Sequence, residues 1–281
     1  MSSTLMYFLG FSMTYILMAW SIYLPYRVKH LHFLAVATMA VTSYMGGILS
    51  VNFGWSFLPT LLLSIVIGAL ISYLISHTIG NAPTFTVVIV GITFVFIIKT
   101  AIENTDYLGG TIGLFGIPVL DHPLIILFAF LLVIGYFLYR IDHSRIGRAA
   151  SVIFTDENLA KSMGIKPKQI GMLFQTISGG IAGSAGVFYA FFVGSLFPDF
   201  FTFHLIGTLM TILFIGGYTT MWGVIPAALI LRGVPMILPS SIASWRLLIY
   251  GVLLVAIIAT KPKGLITKKM LWELLKKRSG S

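Results

Sequence analysis

Long unbroken apolar runs fill the chain, with short polar stretches between them. Nine runs lie at 5–24, 31–51, 57–76, 84–102, 122–139, 170–193, 203–215, 222–238 and 247–260. A helix needs about 20 apolar residues to cross a bilayer, and a spanning backbone must satisfy its own hydrogen bonds. The runs are continuous rather than alternating, which points to helices and away from a β-barrel. The expectation is an all-α, polytopic transmembrane helical bundle of about nine spans, with eight to ten compatible with the two short runs. Those runs, the seventh and eighth, flank a glycine-rich turn, Gly216-Gly217-Tyr218-Thr219-Thr220-Met221-Trp222-Gly223, which fits inside the membrane as well as outside it. The first run has no basic residue before it and is longer than a signal peptide core, so it reads as a retained first span.

One stretch breaks the pattern. Residues 140–168 hold six of the 18 Lys/Arg and three of the 8 Asp/Glu. Inside it the residues predict a short capped helix over 155–164. Thr155 is the expected N-cap, with Asp156 and Glu157 in a first turn that favours acids. Glu157 and Lys161 stand four apart, as an ion pair requires, and Leu159 and Met163 form a small apolar face at the same spacing. Gly164 suits the left-handed residue that ends a helix, and Pro167 follows as a stop. A helix of eight residues does not hold itself together in water. Either its own protein braces it or a partner's groove holds it, and the residues alone favour neither.

Composition agrees with the runs: of 281 residues, 58% are hydrophobic and 9% charged, where soluble domains carry about 25% charged residues. The whole chain, 1–281, reads as one transmembrane domain. Its net charge of +10 sits in loops and in the basic, amphipathic tail 261–281, which suits attraction to membrane lipid and not nucleic-acid binding. With 140–168 placed inside, 15 Lys/Arg fall inside and Arg246 alone falls outside. This positive-inside bias predicts an outward N-terminus and a cytoplasmic C-terminus. There is no cysteine, hence no disulfide, thiol nucleophile or thiolate metal site. No HExxH, Ser–His–Asp set or GxxxxGK[ST] occurs, so no catalytic, metal or ATP site is expected on this chain.

Three further groups stand out. Lys99 and Glu103 can pair on one helix face within a span, and intramembrane charge is a candidate for a translocation path. Arg232 is also intramembrane but is placed to snorkel. Gly179, Gly183 and Gly186, with Ser178 and Ala182, form a small-residue stripe that allows close helix packing, within the chain or to a second subunit.

These residues together resemble one family. Gly147-Arg148-Ala149, then Asp156-Glu157-Asn158-Leu159-Ala160 and Gly164-Ile165, is similar to the cytoplasmic loop of ABC importer permeases of the branched-chain amino-acid type. Residues 179–189, the pair Gly216-Gly217 with Met221-Trp222-Gly223, and Lys261-Pro262-Lys263-Gly264-Leu265 match further family stretches in order. Lys99, Asp106, Gly109-Gly110, Gly113 and Gly116-Ile117-Pro118 fit its outer loop. Residues 24–33 depart from the pattern, having lost most of the family's glycines, and Phe96 stands where relatives tend to have Glu. The resemblance implies a plasma (bacterial or archaeal inner) membrane importer with no catalysis on this chain. Its partners would be a second permease subunit (the same or a homologous chain), two ATPase subunits holding ATP–Mg, and an extracytoplasmic solute-binding protein. Gly147, Arg148, Thr155, Asp156, Glu157, Leu159, Ala160, Met163 and Gly164 would contact the ATPase, and the family's default solute is a branched-chain or other amino acid. Two rival readings remain: a stand-alone secondary transporter or channel using Lys99 and Glu103, and a structural membrane subunit without a solute path.

Overall fold

Eight of the nine apolar runs form helices in the computed structural model, which describes residues 3–237 apart from 32, 80 and 81, together with Leu248, Gly251, Val252, Val255, Ala256, Ala259 and Gly264. They are α1 (Ser3–Tyr26), α2 (Leu34–Phe53), α3 (Phe57–Ile79), α4 (Thr84–Glu103), α5 (Pro123–His143), α8 (Pro167–Val193), α9 (Phe203–Gly216) and α10 (Val224–Ile237). Among the described residues, seven helical stretches are long and apolar enough to span a membrane, and α10 is a shorter apolar helix. The ninth run, 247–260, and the tail, 261–281, lie largely outside the described residues. Between α5 and α8 the polar stretch forms two helices, α6 (Arg145–Thr155) and α7 (Glu157–Ser162).

The long helices run back and forth between two ends. At one end lie the α1–α2 turn, the loop helices and the turn after α9, joined by contacts of Tyr26 with both Phe154 and Tyr218. At the other lie the α4–α5 and α8–α9 connections. There β1 (Leu114–Phe115) pairs antiparallel with β2 (Ser195–Leu196), Leu114 opposite Leu196, and the Asn52 amide donates to the Tyr107 hydroxyl at 2.9 Å.

Helix α8 occupies the centre, packed by α1, α2 and α3. Every residue from Ser178 to Phe192 is buried. Its glycines are there for contact between backbones. A Cβ on Gly179 would fall on the carbonyl oxygen of Gly68, one on Gly183 on that of Ser64, and one on Gly186 on Thr42 and the carbonyl of Met39. The small-residue stripe therefore packs within the chain. Its partner on α3 is a second stripe spaced four apart, Thr60, Ser64, Gly68, Ser72 and Ser76, all buried, which the sequence reading passed over. Leu62, Val66 and Leu70 on the opposite side of α3 are exposed, as a lipid-facing surface requires. Several hydroxyls on buried faces return to their own helix, as when Thr38 donates to Leu34 O at 3.0 Å and Thr42 to Thr38 O at 2.9 Å. They thereby avoid an unsatisfied polar group in hydrocarbon.

Gly183→Val should lower thermal stability by about 1–3 kcal/mol through overpacking, read as an earlier unfolding transition of the detergent-solubilised chain. Gly207→Ala, at a position with open space around it, should leave the transition unchanged. An equal loss from both would mean that α3 and α8 are not in backbone contact.

Candidate coupling loop and ion-pair sites

The loop helices begin where α5 ends. Ser144 accepts a hydrogen bond from Gly147 N at 3.2 Å and so caps α6. The buried residues Gly147, Ala150 and Ile153 recur every three positions and form the inner face of a helix absent from the sequence expectation. Gly147 has backbone carbonyls of α5 where a Cβ would sit, and Arg148 donates to the carbonyl of His143 at 3.1 Å, securing the end of α5.

The second helix differs from expectation in one residue of register. Thr155 is the last residue of α6 and donates to Ser151 O at 3.0 Å. Asp156 is the N-cap of α7, accepting from Asn158 N at 2.8 Å and Leu159 N at 3.2 Å. Its carboxylate reaches these donors because Asp156 is extended, whereas Thr155 already has a helical acceptor. The result is a six-residue helix instead of eight. Glu157 and Lys161 pair at 2.8 Å. Gly164 takes φ +77°, where its lack of a Cβ removes strain. Pro167 starts α8 instead of serving only as a stop, the first helical position being one where its missing N–H costs nothing. Of α7 only Ala160 is buried. Leu159 and Met163 are 51% and 64% exposed, so the apolar pair faces away from the bundle.

The seat under these helices is the α1–α2 turn, which carries the group that sequence reasoning missed. Arg27 was counted as a topology charge, yet it is 5% exposed. Its Nη1 ion-pairs with Asp142 and donates to the Tyr23 hydroxyl at 3.1 Å. Its Nη2 donates to Gly147 O at 3.2 Å and Ser151 Oγ at 2.8 Å. Tyr23 in turn donates to Asp142 Oδ2 at 2.9 Å. Burial opposes the Arg27 charge, but Tyr23 and Asp142 outweigh it and raise its pKa. One guanidinium thus ties α1, α5 and α6 together. Three residues on, the Gln175 amide donates to His30 Nδ1 at 3.0 Å. Burial lowers the His30 pKa while Glu157 pulls it upward, which suits a neutral ring accepting that bond. The i to i+4 spacing of Tyr23 and Arg27 was the available signal, but nothing local names Asp142, 115 positions away.

At the other end, Lys99 Nζ lies 3.3 Å from Glu103, as the spacing predicts, and 2.8 Å from Asp199, which it does not. The network joins α4 to the turn before α9. Beside it, an apolar cavity of about 380 Å³ between α2 and α4 is lined by Tyr44, Met45, Ile98 and Ile102. The Tyr44 hydroxyl is buried with no partner among the described residues. The Gly216–Gly223 turn lies against the bundle: Trp20 Nε1 donates to Met221 O at 2.9 Å in a buried contact.

Removing one partner of a buried pair leaves the other charge uncompensated, at about 3–5 kcal/mol. Arg27→Ala and Asp142→Asn should each lower stability by this order, and the double variant Arg27→Met/Asp142→Leu should recover most of the loss. Thermal unfolding of the three variants in detergent checks this; additive losses would refute the shared network.

Comparison with known proteins now bears on these sites. The profile of a family described as branched-chain amino acid transport system / permease component matches residues 4–258. The chain is similar to the high-affinity branched-chain amino acid transport system permease protein LivM of Escherichia coli (strain K12), with 31% identity over 137 residues, 48% of this chain and 32% of that protein. Identity and coverage are the same for LivM of Salmonella typhimurium (strain LT2). The match therefore spans about a third (32%) of the length of each of these relatives. No solved structure matches the chain significantly. The bundle of membrane-length helices and the extent of the profile match lead to one assignment: the chain belongs to the permease component family of branched-chain amino acid transport systems.

Proposed function

We propose that this chain is the membrane-spanning subunit of an ATP-driven ABC importer, in which α6 and α7 couple the bundle to a separate ATPase. The observation that carries the proposal is the presentation of α7. A six-residue helix and its C-cap, Met163, with Leu159 and Met163 largely exposed, sit on a seat fixed by the buried Arg27 network. A helix this short is not stable by itself, and an exposed apolar pair on a braced helix suits insertion into a partner's groove. Gly147 and Arg148 set the elbow from which α6 leaves α5. Thr155, Asp156, Glu157, Ala160 and Gly164 shape α7, so that it moves as a unit.

Charge supports the orientation. The loop end carries Arg27, Lys29, Arg140, Arg145, Arg148, Lys161, Lys166 and Lys168, while among the described residues the opposite end carries Lys99 alone of Lys and Arg, beside Glu103, Asp106, Asp121 and Asp199. By the positive-inside rule the loop end is cytoplasmic and the N-terminus external. On this reading the protein resides in the plasma (inner) membrane with a second permease subunit and two ATPases that hold ATP–Mg. An extracytoplasmic binding protein delivers a small polar solute, by family an amino acid. Lys99, Glu103 and Asp199 then stand at the outer mouth. ATP-driven closure of the ATPases shifts the bundle between states that the ligands favour differently.

Leu159→Asp/Met163→Asp should abolish co-purification of the ATPase and reduce ATP-dependent uptake in proteoliposomes at least tenfold, with the yield of folded permease unchanged because both side chains are exposed. Retained ATPase binding in this variant would overturn the coupling role. Uptake driven by an ion gradient in ATP-free vesicles would favour a stand-alone transporter.

A further inference from the structure

An apolar cavity of about 550 Å³ is lined by α1, α5, α10 and the turn that precedes α10. It is open along α5, where Phe128, Leu132 and Tyr136 belong to its lining and are exposed. Gly135 lets the Trp20 ring lie against α5, since a Cβ there would meet the ring at 3.1 Å. Ser12 stands in the wall but is fully buried, so it presents no polar surface to the cavity.

Three observations say what fits there. The first is length. The lining runs along α1 from Leu9 to Trp20 and along α5 from Phe128 to Tyr139. Each stretch advances 11 residues, or about 16 Å of helix. One leaflet supplies about 15 Å of hydrocarbon, half of a core of about 30 Å. Toward the loop end the lining stops at Trp20, Tyr139 and Trp222, residue types that gather where hydrocarbon meets headgroups. The cavity therefore has the depth of one leaflet, the one at the loop end.

The second is the rim. Helices that pack on one another in lipid present small residues, as α3 and α8 do. The rim of this cavity instead presents Phe128, Leu132, Tyr136 and Leu229, all large and exposed. That is a surface for acyl chains and not for a second helix. The third is charge. Arg140 continues the four-residue spacing of Leu132 and Tyr136 beyond the aromatic end, and Arg145 and Arg148 follow at the start of α6, all three exposed. Asp142, the acid of this stretch, is taken by Arg27. A basic end at this level attracts anionic headgroups.

We propose that this cavity binds an anionic phospholipid of the leaflet at the loop end, with an acyl chain along α1, α5 and α10 and the phosphate beside Arg140. Helix α5 meets the bundle through one narrow buried stripe, Leu127, Leu131, Gly135 and Leu138, yet it carries α6 and α7. The lipid covers the adjoining side of α5 and braces the stem of the loop. The site requires only that the chain be a membrane bundle and is independent of coupling to an ATPase.

The test uses the complete transporter complex in nanodiscs. A phosphatidylglycerol with a diazirine midway along one acyl chain is photolysed, and the labelled peptides are mapped by mass spectrometry. Peptides around Met13 and Leu132 should be labelled well above those carrying Leu62, Val66 and Leu70 on the outer face of α3. Unlabelled phosphatidylglycerol should compete at least fivefold better than phosphatidylcholine. Arg140→Gln should weaken that competition about fivefold, the effect of one basic residue near the surface. Met13→Trp, at a half-buried position of the lining, should cut labelling of the α5 peptide at least fivefold and leave α3 labelling unchanged. If Met13→Trp does not fold, Arg140→Gln decides, since its side chain is exposed. Labelling no stronger than on α3 would mean ordinary boundary lipid and overturns the proposal. Equal competition by phosphatidylcholine, or no effect of Arg140→Gln, overturns it as well. So does cross-linking of Leu132→Cys to a second permease subunit, which would make the cavity a protein interface.

Discussion

Everything in this bundle is built around a helix that allows its neighbours to touch its backbone. Helix α8 is buried along its membrane length because Gly179, Gly183 and Gly186 leave no side chain between it and α3 or α2. In lipid there is little hydrophobic gain from bringing two helices together, so close van der Waals packing of small residues carries the association. The same economy explains why the large side chains of α3 face outward and its serines inward. With α8 fixed in this way, its third turn sets the height of Gln175 and hence of His30, and its last sets β2 against β1.

The two ends of the bundle are held by different chemistry. At the loop end a single buried guanidinium joins three helices, and its partners are carboxylate, phenol, carbonyl and hydroxyl. Such a network is costly to desolvate and adds little net stability. What it supplies is geometry, since a buried charge with both terminal nitrogens hydrogen-bonded to three helices tolerates few arrangements. At the opposite end the ties are a two-residue ladder and the half-exposed ions around Lys99, which solvent screens. A rigid seat at one end and a looser set of ties at the other suit a protein in which force arrives at the first and a solute enters at the second.

Much of this was legible in the sequence. Apolar runs give helices directly because the period and length of a span are local properties, and eight runs became helices within a few residues of their bounds. The Glu157–Lys161 and Lys99–Glu103 pairs follow from spacing alone. The α6 helix was hidden because its inner face is made of Gly147, Ala150 and Ile153, two of them small enough to carry no hydrophobic signal. The cap fell to Asp156 instead of Thr155 because α6 had already claimed Thr155, which cannot be known before α6 is seen. Asp142, Asp199 and the α3 stripe were missed for a common reason: each acquires its meaning from a residue far along the chain. Arg232 read as an interfacial charge, whereas its guanidinium lies over the Phe11 and Tyr15 rings of α1, because position along a segment says nothing about which neighbour lies beneath it.

The central claim is that the loop end faces the cytoplasm and meets an ATPase there. Because the chain contains no cysteine, single cysteines report without background. Met163→Cys and Tyr107→Cys place one exposed thiol at each end of the bundle. A membrane-impermeant maleimide applied to intact cells should label Tyr107→Cys and leave Met163→Cys untouched, while in inside-out vesicles Met163→Cys should cross-link to the ATPase subunit. Labelling of Met163→Cys from outside the cell, or its free reaction in vesicles with no cross-link formed, would contradict the account.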